Sequence, residues 1–291
     1  MTAVPAPSDG PGGPFVDLHS HSTASDGSKS PSAVVAAAKN AGLAAIALTD
    51  HDTMAGVAEA TAAGERVGIR IVPGVELSAV DDDREVHLLG LHIHRPHVLD
   101  DALRTFREAR ETRAHRIVEK LNAIGVAISF DDVLARAGDA AIGRPHVARA
   151  LIDGAWARDS RDAFDRYLGA GRPAYVPKHK LSVSDAIALI HAGGGIAILA
   201  HPGAEGRRDA LERYAALGLD GVEVRHPGHT AEDMNRLGAL AGFLGLVPSG
   251  GSDWHGAADG PRVLGVMRVP AAWLERQDER VEARRAAEIA S

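Results

Sequence analysis

Short apolar runs that end in a histidine or a carboxylate recur along the whole of this chain. The first, Phe15-Val16-Asp17-Leu18-His19-Ser20-His21, reads as a buried strand with two histidines two residues apart at its exit. Alternate residues of a strand point to one side, so both imidazoles are offered to the same ion. Asp26 follows in a Ser/Gly-rich turn, an oxygen ligand on a loop able to curl back over that ion. Alone, this would be two surface histidines at an ordinary strand exit. The pattern repeats, however. Leu43–Leu48 runs into Thr49-Asp50-His51-Asp52, Ile69–Val75 into Glu76, and Gly195–Ala200 into His201. A last apolar run from Gly245 leads to Asp253 and His255, and His87 sits inside the strand Arg84–Leu91.

Between these runs lie helical signals. Ser30-Pro31 is an N-cap followed by proline at the first helical position, opening a helix that Gly42 stops. A second helix spans about Thr53 to Val67. This β-α-β-α-β rhythm predicts a parallel α/β sheet or barrel, whose strand C-termini converge on one mouth. Residues as distant as His19 and His255 would meet there.

The rhythm breaks from about Leu99 to Leu168, where helices replace strands: a long basic amphipathic one over Leu99–Ile124, then shorter ones around Phe130–Arg136, His146–Ile152 and Arg161–Leu168. It resumes with a helix over Val183–His191 and strands at Gly195–His201, Gly221–Val224 and from Gly245. The expected organisation is a flexible leader over 1–14, a discontinuous barrel over 15–100 and 172–270, a helical insertion over 101–171, and a charged helix over 271–291 packed on the outside.

Composition narrows the chemistry. With no cysteine among 291 residues, thiolate catalysis and sulfur-type zinc sites are excluded, so any metal must use His, Asp and Glu. Imidazole and carboxylate together suit Mn²⁺, Fe²⁺ or Zn²⁺ better than Ca²⁺. Nine such ligands exceed one ion and imply two or three. A net charge of −7 gives no global basic field for nucleic acid. No apolar run is long enough for a membrane span. A cytoplasmic protein without an obligate partner is expected.

The ordered motifs His19-Ser20-His21, Thr49-Asp50-His51-Asp52, Gly74-Val75-Glu76, Ala200-His201-Pro202 and Gly251-Ser252-Asp253-Trp254-His255 resemble those of the PHP (polymerase and histidinol phosphatase) superfamily. The resemblance implies a distorted (β/α)7 barrel with a trinuclear metal site. The helical insertion, and Asp26 where other branches carry histidine, resemble the nucleoside 3′,5′-bisphosphate phosphatase branch, which includes enzymes trimming RNA from its 5′ end. Carried over by position, one ion would be held by His19, His21, Glu76 and Asp253. Glu76 would bridge to a second on His87 and His201, and a third would use Asp26, His51 and His255. Mn²⁺ is the first expectation, with Fe²⁺, Zn²⁺ or Mg²⁺ as alternatives. Asp17, Asp50 and Asp52 would orient the histidines, a plain turn or cap role for Asp52 staying open.

On the long helix, Arg110 and Arg113 share a face. They are either a solvated basic surface or, as in the resembled branch, the contact for a substrate phosphate. Arg144 and His146, at the start of the next helix, resemble another substrate-facing motif. Lys178 could also face the mouth. His226 and His229 match no ligand position and are possible substrate contacts. His92, His94 and His97 are expected to face solvent, and His115, His179 and His191 to be structural or exposed.

The expected activity is metal-dependent phosphoester hydrolysis on a nucleotide with two phosphates, or on short RNA. Protonation of the leaving oxygen falls to His201, Asp26 or a water. Histidinol phosphate or AMP are the alternative substrates, and a non-catalytic interaction module is the alternative class. Aromatic residues are only 4%, which predicts weak base recognition.

Overall fold

The computed structural model describes residues 13–82, 84–138, 142–177 and 181–290. Most of the expected leader, together with Lys178 and His179, lies outside the described residues.

In chain order the strands are β1 (Phe15–Asp17), β2 (Ala45–Leu48), β3 (Arg70–Asp81), β4 (Arg84–Leu91), β5 (Leu181–Ser182), β6 (Ile196–Leu199), β7 (Gly221–Arg225), β8 (Val247–Gly250) and β9 (Val269–Pro270). They form one sheet in the order β8-β7-β6-β4-β3-β2-β1-β9, with β5 beside β3. The sheet curls into a nearly closed barrel. The seam is bridged by Leu18 N–H donating to the Gly250 carbonyl at 3.0 Å and by Asp253 N–H donating to the His19 carbonyl at 2.9 Å. Gly251 is required at this seam, because a Cβ there would lie 2.5 Å from the His19 backbone nitrogen.

Parallel pairing holds for β1–β2–β3 and β6–β7–β8. The departure from a parallel barrel is β4, which runs antiparallel to both β3 and β6. A hairpin rather than a helix follows β3, so β4 must return against it. That reversal places His87 mid-strand yet beside the C-terminal end of β6.

The helices are α1 (Pro31–Asn40), α2 (Val57–Val67), α3 (Pro96–Ala123), α4 (Phe130–Ala137), α5 (Arg144–Asp153), α6 (Ser160–Ala163), α7 (Val183–Ala192), α8 (Arg208–Ala216), α9 (Ala231–Leu244) and α10 (Ala271–Ala290). Their ends follow local chemistry. Ser30 caps α1 and Ser182 caps α7, capping boxes Ser129/Asp132 and Thr230/Asp233 open α4 and α9, and left-handed Gly68 and Gly245 close α2 and α9. Helices α8 and α9, which the sequence reading passed over, complete the β6–β7 and β7–β8 crossovers. Segment Phe164–Leu168, expected as α-helix, is a π-helical turn.

The barrel is filled by a core including Leu18, Val75, Leu88, Leu89, Ile198 and Val222, while α3 to α6 gather around a separate core including Ile117, Leu121, Val147, Leu151 and Leu168. The last helix packs against the outside of the sheet. It lies across the N-terminal end of the barrel, burying Trp273, Leu274, Gln277 and Val281. Gln277 donates to the Pro248 carbonyl, Arg280 to that of Gly245, and Arg70 at the start of β3 pairs with Asp278. The end it covers is opposite the strand exits.

Candidate metal centre

At the strand exits, His19, His21 and Glu76 are buried to within 1%. His19 Nε2 lies 3.2 Å from Glu76 Oε2 and 3.4 Å from Asp253 Oδ1, and His21 Nε2 lies 3.2 Å from both of those oxygens. Donors about 3.2–3.4 Å apart are spaced as they would be around one ion at ~2.1 Å from each. Three tight clusters of donors occur among the described residues: His19/His21/Glu76/Asp253, His21/Asp26/His51/His255 and His51/Glu76/His87. His201 stands outside these clusters, although its Nε2 reaches Glu76 Oε1 at 3.1 Å, the same oxygen that His87 Nδ1 meets at 2.8 Å. His51 joins two clusters rather than one, with Nδ1 3.3 Å from Glu76 Oε2.

The arrangement fits divalent cations better than it fits an internal salt-bridge network. Both ring nitrogens of His21 and Nδ1 of His51 are buried with no hydrogen-bond partner, although carboxylate oxygens lie within 3.3 Å of His21 Nε2 and His51 Nδ1 and at 3.9 Å from His21 Nδ1. A nitrogen so close yet misaligned for hydrogen bonding is oriented toward the space between donors. The donor set is nitrogen and oxygen throughout, suited to Mn²⁺, Fe²⁺ or Zn²⁺.

Electrostatics agree with this crowding. Burial alone would lower the His21 pKa, but the Asp253 and Glu76 carboxylates raise it to about 10. Burial pushes His51 down to about 3, leaving it neutral. Burial opposes the charge of Asp26, yet His255, His51 and His21 hold its carboxyl well below the usual range. For Asp253 the opposing imidazoles, led by His19, do the same.

Supporting contacts differ from those expected. Asp17 accepts from the backbone N–H groups of Ser252 and Gly265, and Asp50 from Ser22 N–H, Ser22 Oγ and Ser25 Oγ. These carboxylates therefore shape the loops that carry the histidines instead of orienting the rings. Asp52 accepts from Ser78 N–H and pairs with Arg110. The ring of His19 is met instead by Glu223, whose Oε1 lies 3.2 Å from Nδ1. Glu223 was missed in the sequence, although a carboxylate inside a fully buried strand had to be paired. Arg262 also went unnoticed; it pairs with Asp253 Oδ2, and no pattern in its Gly/Pro-rich segment marked it.

A cavity of about 380 Å³ opens above the cluster, lined by His51, Glu76, His87, His201, Asp253, His255 and Arg262, with His226 and His229 on its wall. His229 is spent on backbone, donating from Nδ1 to the Val224 carbonyl and accepting at Nε2 from Gly203 N–H. His226 accepts from Gly228 N–H at Nδ1 and faces Asp253 with Nε2. His92, expected in solvent, instead packs beneath the barrel on Gln277 and Asp278.

The helices α3 and α5 reach the rim. Besides the Arg110–Asp52 pair, Arg149 donates to the Asp26 carbonyl at 3.4 Å. Burial and the neighbouring guanidiniums of Arg144 and Arg110 lower the Arg113 pKa to about 10. Arg144 itself stacks over Phe164 and donates to the Leu168 carbonyl, and His146 is buried, accepting from Gly143 N–H.

The pattern of the PHP domain matches residues 17–170. A 3′,5′-nucleoside bisphosphate phosphatase of Chromobacterium violaceum is 38% identical over 257 residues, which are 86% of this chain and 90% of that protein. A 5′-3′ exoribonuclease of Haemophilus influenzae is 40% identical over 265 residues, 89% of this chain and 92% of that one. Among solved structures, a Bifidobacterium adolescentis protein proposed to be a metal-dependent phosphoesterase superposes with a TM-score of 0.83 at 34% identity, covering 92% of this chain and 96% of its own. The chain belongs to the PHP domain family and is a metal-dependent hydrolase of phosphoric esters.

Proposed function

We propose that this enzyme removes a phosphate from nucleotides carrying two phosphates, the 3′-phosphate of nucleoside 3′,5′-bisphosphates first among them. The observation that carries this reading is the set of crowded guanidiniums beside the centre. Arg113 remains charged at neutral pH despite repulsion from Arg144 and Arg110, so the rim holds positive charge that a second phosphate would neutralise. The name of the relative from C. violaceum supports this substrate class, and that of the relative from H. influenzae supports short RNA as the second reading.

Two or three divalent cations, Mn²⁺ foremost, would be held by His19, His21, Asp26, His51, Glu76, His87, His201, Asp253 and His255, supplying charge neutralisation on phosphate and an activated water. The protein residues do the rest. Arg110, Arg113 and Arg144, with His146 behind them, hold the remote phosphate so that the scissile one enters the cavity. Arg262 offers a further cation at the cavity wall. Asp26, kept ionised by three imidazoles, is a poor proton donor. His201, with Nε2 turned to Glu76 at an ion position, would have no proton to give from that nitrogen once a cation is bound, which leaves a water bound at the centre to protonate the leaving oxygen.

Phosphate release by Mn²⁺-loaded protein would be compared for adenosine 3′,5′-bisphosphate, AMP, histidinol phosphate and a 5′-phosphorylated oligoribonucleotide. Fast release from the bisphosphate, lost in Asp253→Ala, is the expected result. Turnover confined to histidinol phosphate or AMP overturns the two-phosphate assignment, and turnover of the oligoribonucleotide alone moves the activity to RNA.

A further inference from the structure

We infer that Glu223 is a positioning residue that ties two ion positions together through one buried carboxylate. It sits inside β7, wholly buried, and no substrate can reach it. Its two oxygens have separate tasks. Oε1 meets His19 Nδ1 at 3.2 Å, and Oε2 accepts from the His201 backbone N–H at 2.7 Å.

The first contact keeps the His19 proton on Nδ1. The lone pair of Nε2 is then free toward Glu76 Oε2 and Asp253 Oδ1, where a cation needs it. The second contact acts on backbone. His201 has φ of 31°, a left-handed conformation that a non-glycine residue adopts only under constraint. This turn brings its ring back to Glu76. Glu76 is in turn shared with His19, so Glu223 and Glu76 close a ring of contacts through both histidines. Loss of Glu223 should therefore disturb both ion positions at once.

Glutamine is the discriminating substitution. It has nearly the shape of glutamate but a single acceptor, so it can satisfy His201 N–H or His19 Nδ1–H, not both. If its NH₂ group faces His19, the imidazole proton is driven to Nε2 and that nitrogen is lost as a ligand.

This inference rests on the ion positions proposed above, and calorimetric titration of the full-length protein with Mn²⁺ separates the two. Glu223→Gln should bind Mn²⁺ roughly 10–100-fold more weakly, with an altered Mn²⁺ resonance spectrum and a metal-free protein that still unfolds cooperatively. Glu223→Asp, still a two-oxygen acceptor, should recover part of the affinity. Wild-type affinity and spectrum in Glu223→Gln would overturn the inference, even with lowered thermal stability. Failure of the wild-type protein to bind Mn²⁺ would overturn the ion positions themselves.

Discussion

The two ends of the barrel handle charge in opposite ways. Beneath it, acids and bases are matched: Arg70 with Asp278, Arg284 with Asp220, and His92 kept neutral against Gln277. Each of these groups has a partner of opposite charge or a hydrogen bond, with the Arg70–Asp278 pair left exposed at the edge of α10. At the mouth, Glu76, Asp253 and Asp26 crowd together with six imidazoles, and several ring nitrogens lack any aligned partner. Three residues there, Asp52, His201 and Asp253, have positive φ without being glycine, as His92 does beneath the barrel. One end is arranged for stability, whereas the other is held by the surrounding fold in an arrangement that only cations complete.

Substitutions should separate the two ends. Asp253→Ala is expected to reduce phosphate release by about 10³-fold or more. Metal-free thermal unfolding should stay within ~1 kcal/mol of wild type. A large loss of stability in that variant would show the mouth to be structural as well. The converse is Trp273→Ala beneath the barrel, which should cost about 3 kcal/mol by denaturant unfolding. Activity per folded molecule and Mn²⁺ affinity should be retained; a change in Mn²⁺ affinity would mean the two ends are coupled.

The rim supplied by α3 and α5 sharpens the division further. Arg113→Gln should raise KM for a bisphosphate about 10-fold with little change in kcat. Mn²⁺ affinity, measured calorimetrically, should not move, since Arg113 touches the Val176 carbonyl and no metal ligand. The smallest effect concerns pH. Burial lowers the His92 pKa to about 4, so the unfolded chain binds a proton that the folded one refuses. Stability contributed by this residue is complete above about pH 6.5 and falls as pH drops toward 4. Denaturant curves should show His92→Asn flattening that slope by roughly 1–2 kcal/mol.

The amino-acid sequence alone determined which residues gather at the strand exits. His19, His21, His51, Glu76 and His201 were legible because each ends an apolar run, and parallel strands in a barrel place such ends together whatever the details between them. Asp253 and His255 were legible for the same reason at the last strand. The helical stretch was legible from its 3.6-residue periodicity and the loss of short apolar runs. Tertiary structure alone decided how these groups are held. The reversal of β4 was implied by the short segment between Glu76 and Arg84, which leaves no room for a crossover helix, but the extension of β3 to Asp81 was settled by its pairing with β4. Glu223 and Asp52 acquired their roles from partners distant in sequence, with Glu223 on His19 204 residues away and Asp52 on Arg110 58 residues away. The placement of α10 beneath the barrel had the same origin: an amphipathic helix records which of its faces is apolar, but not which surface it will cover. Periodicity and residue type are local properties, whereas pairing of buried charge is settled only when the chain has closed on itself.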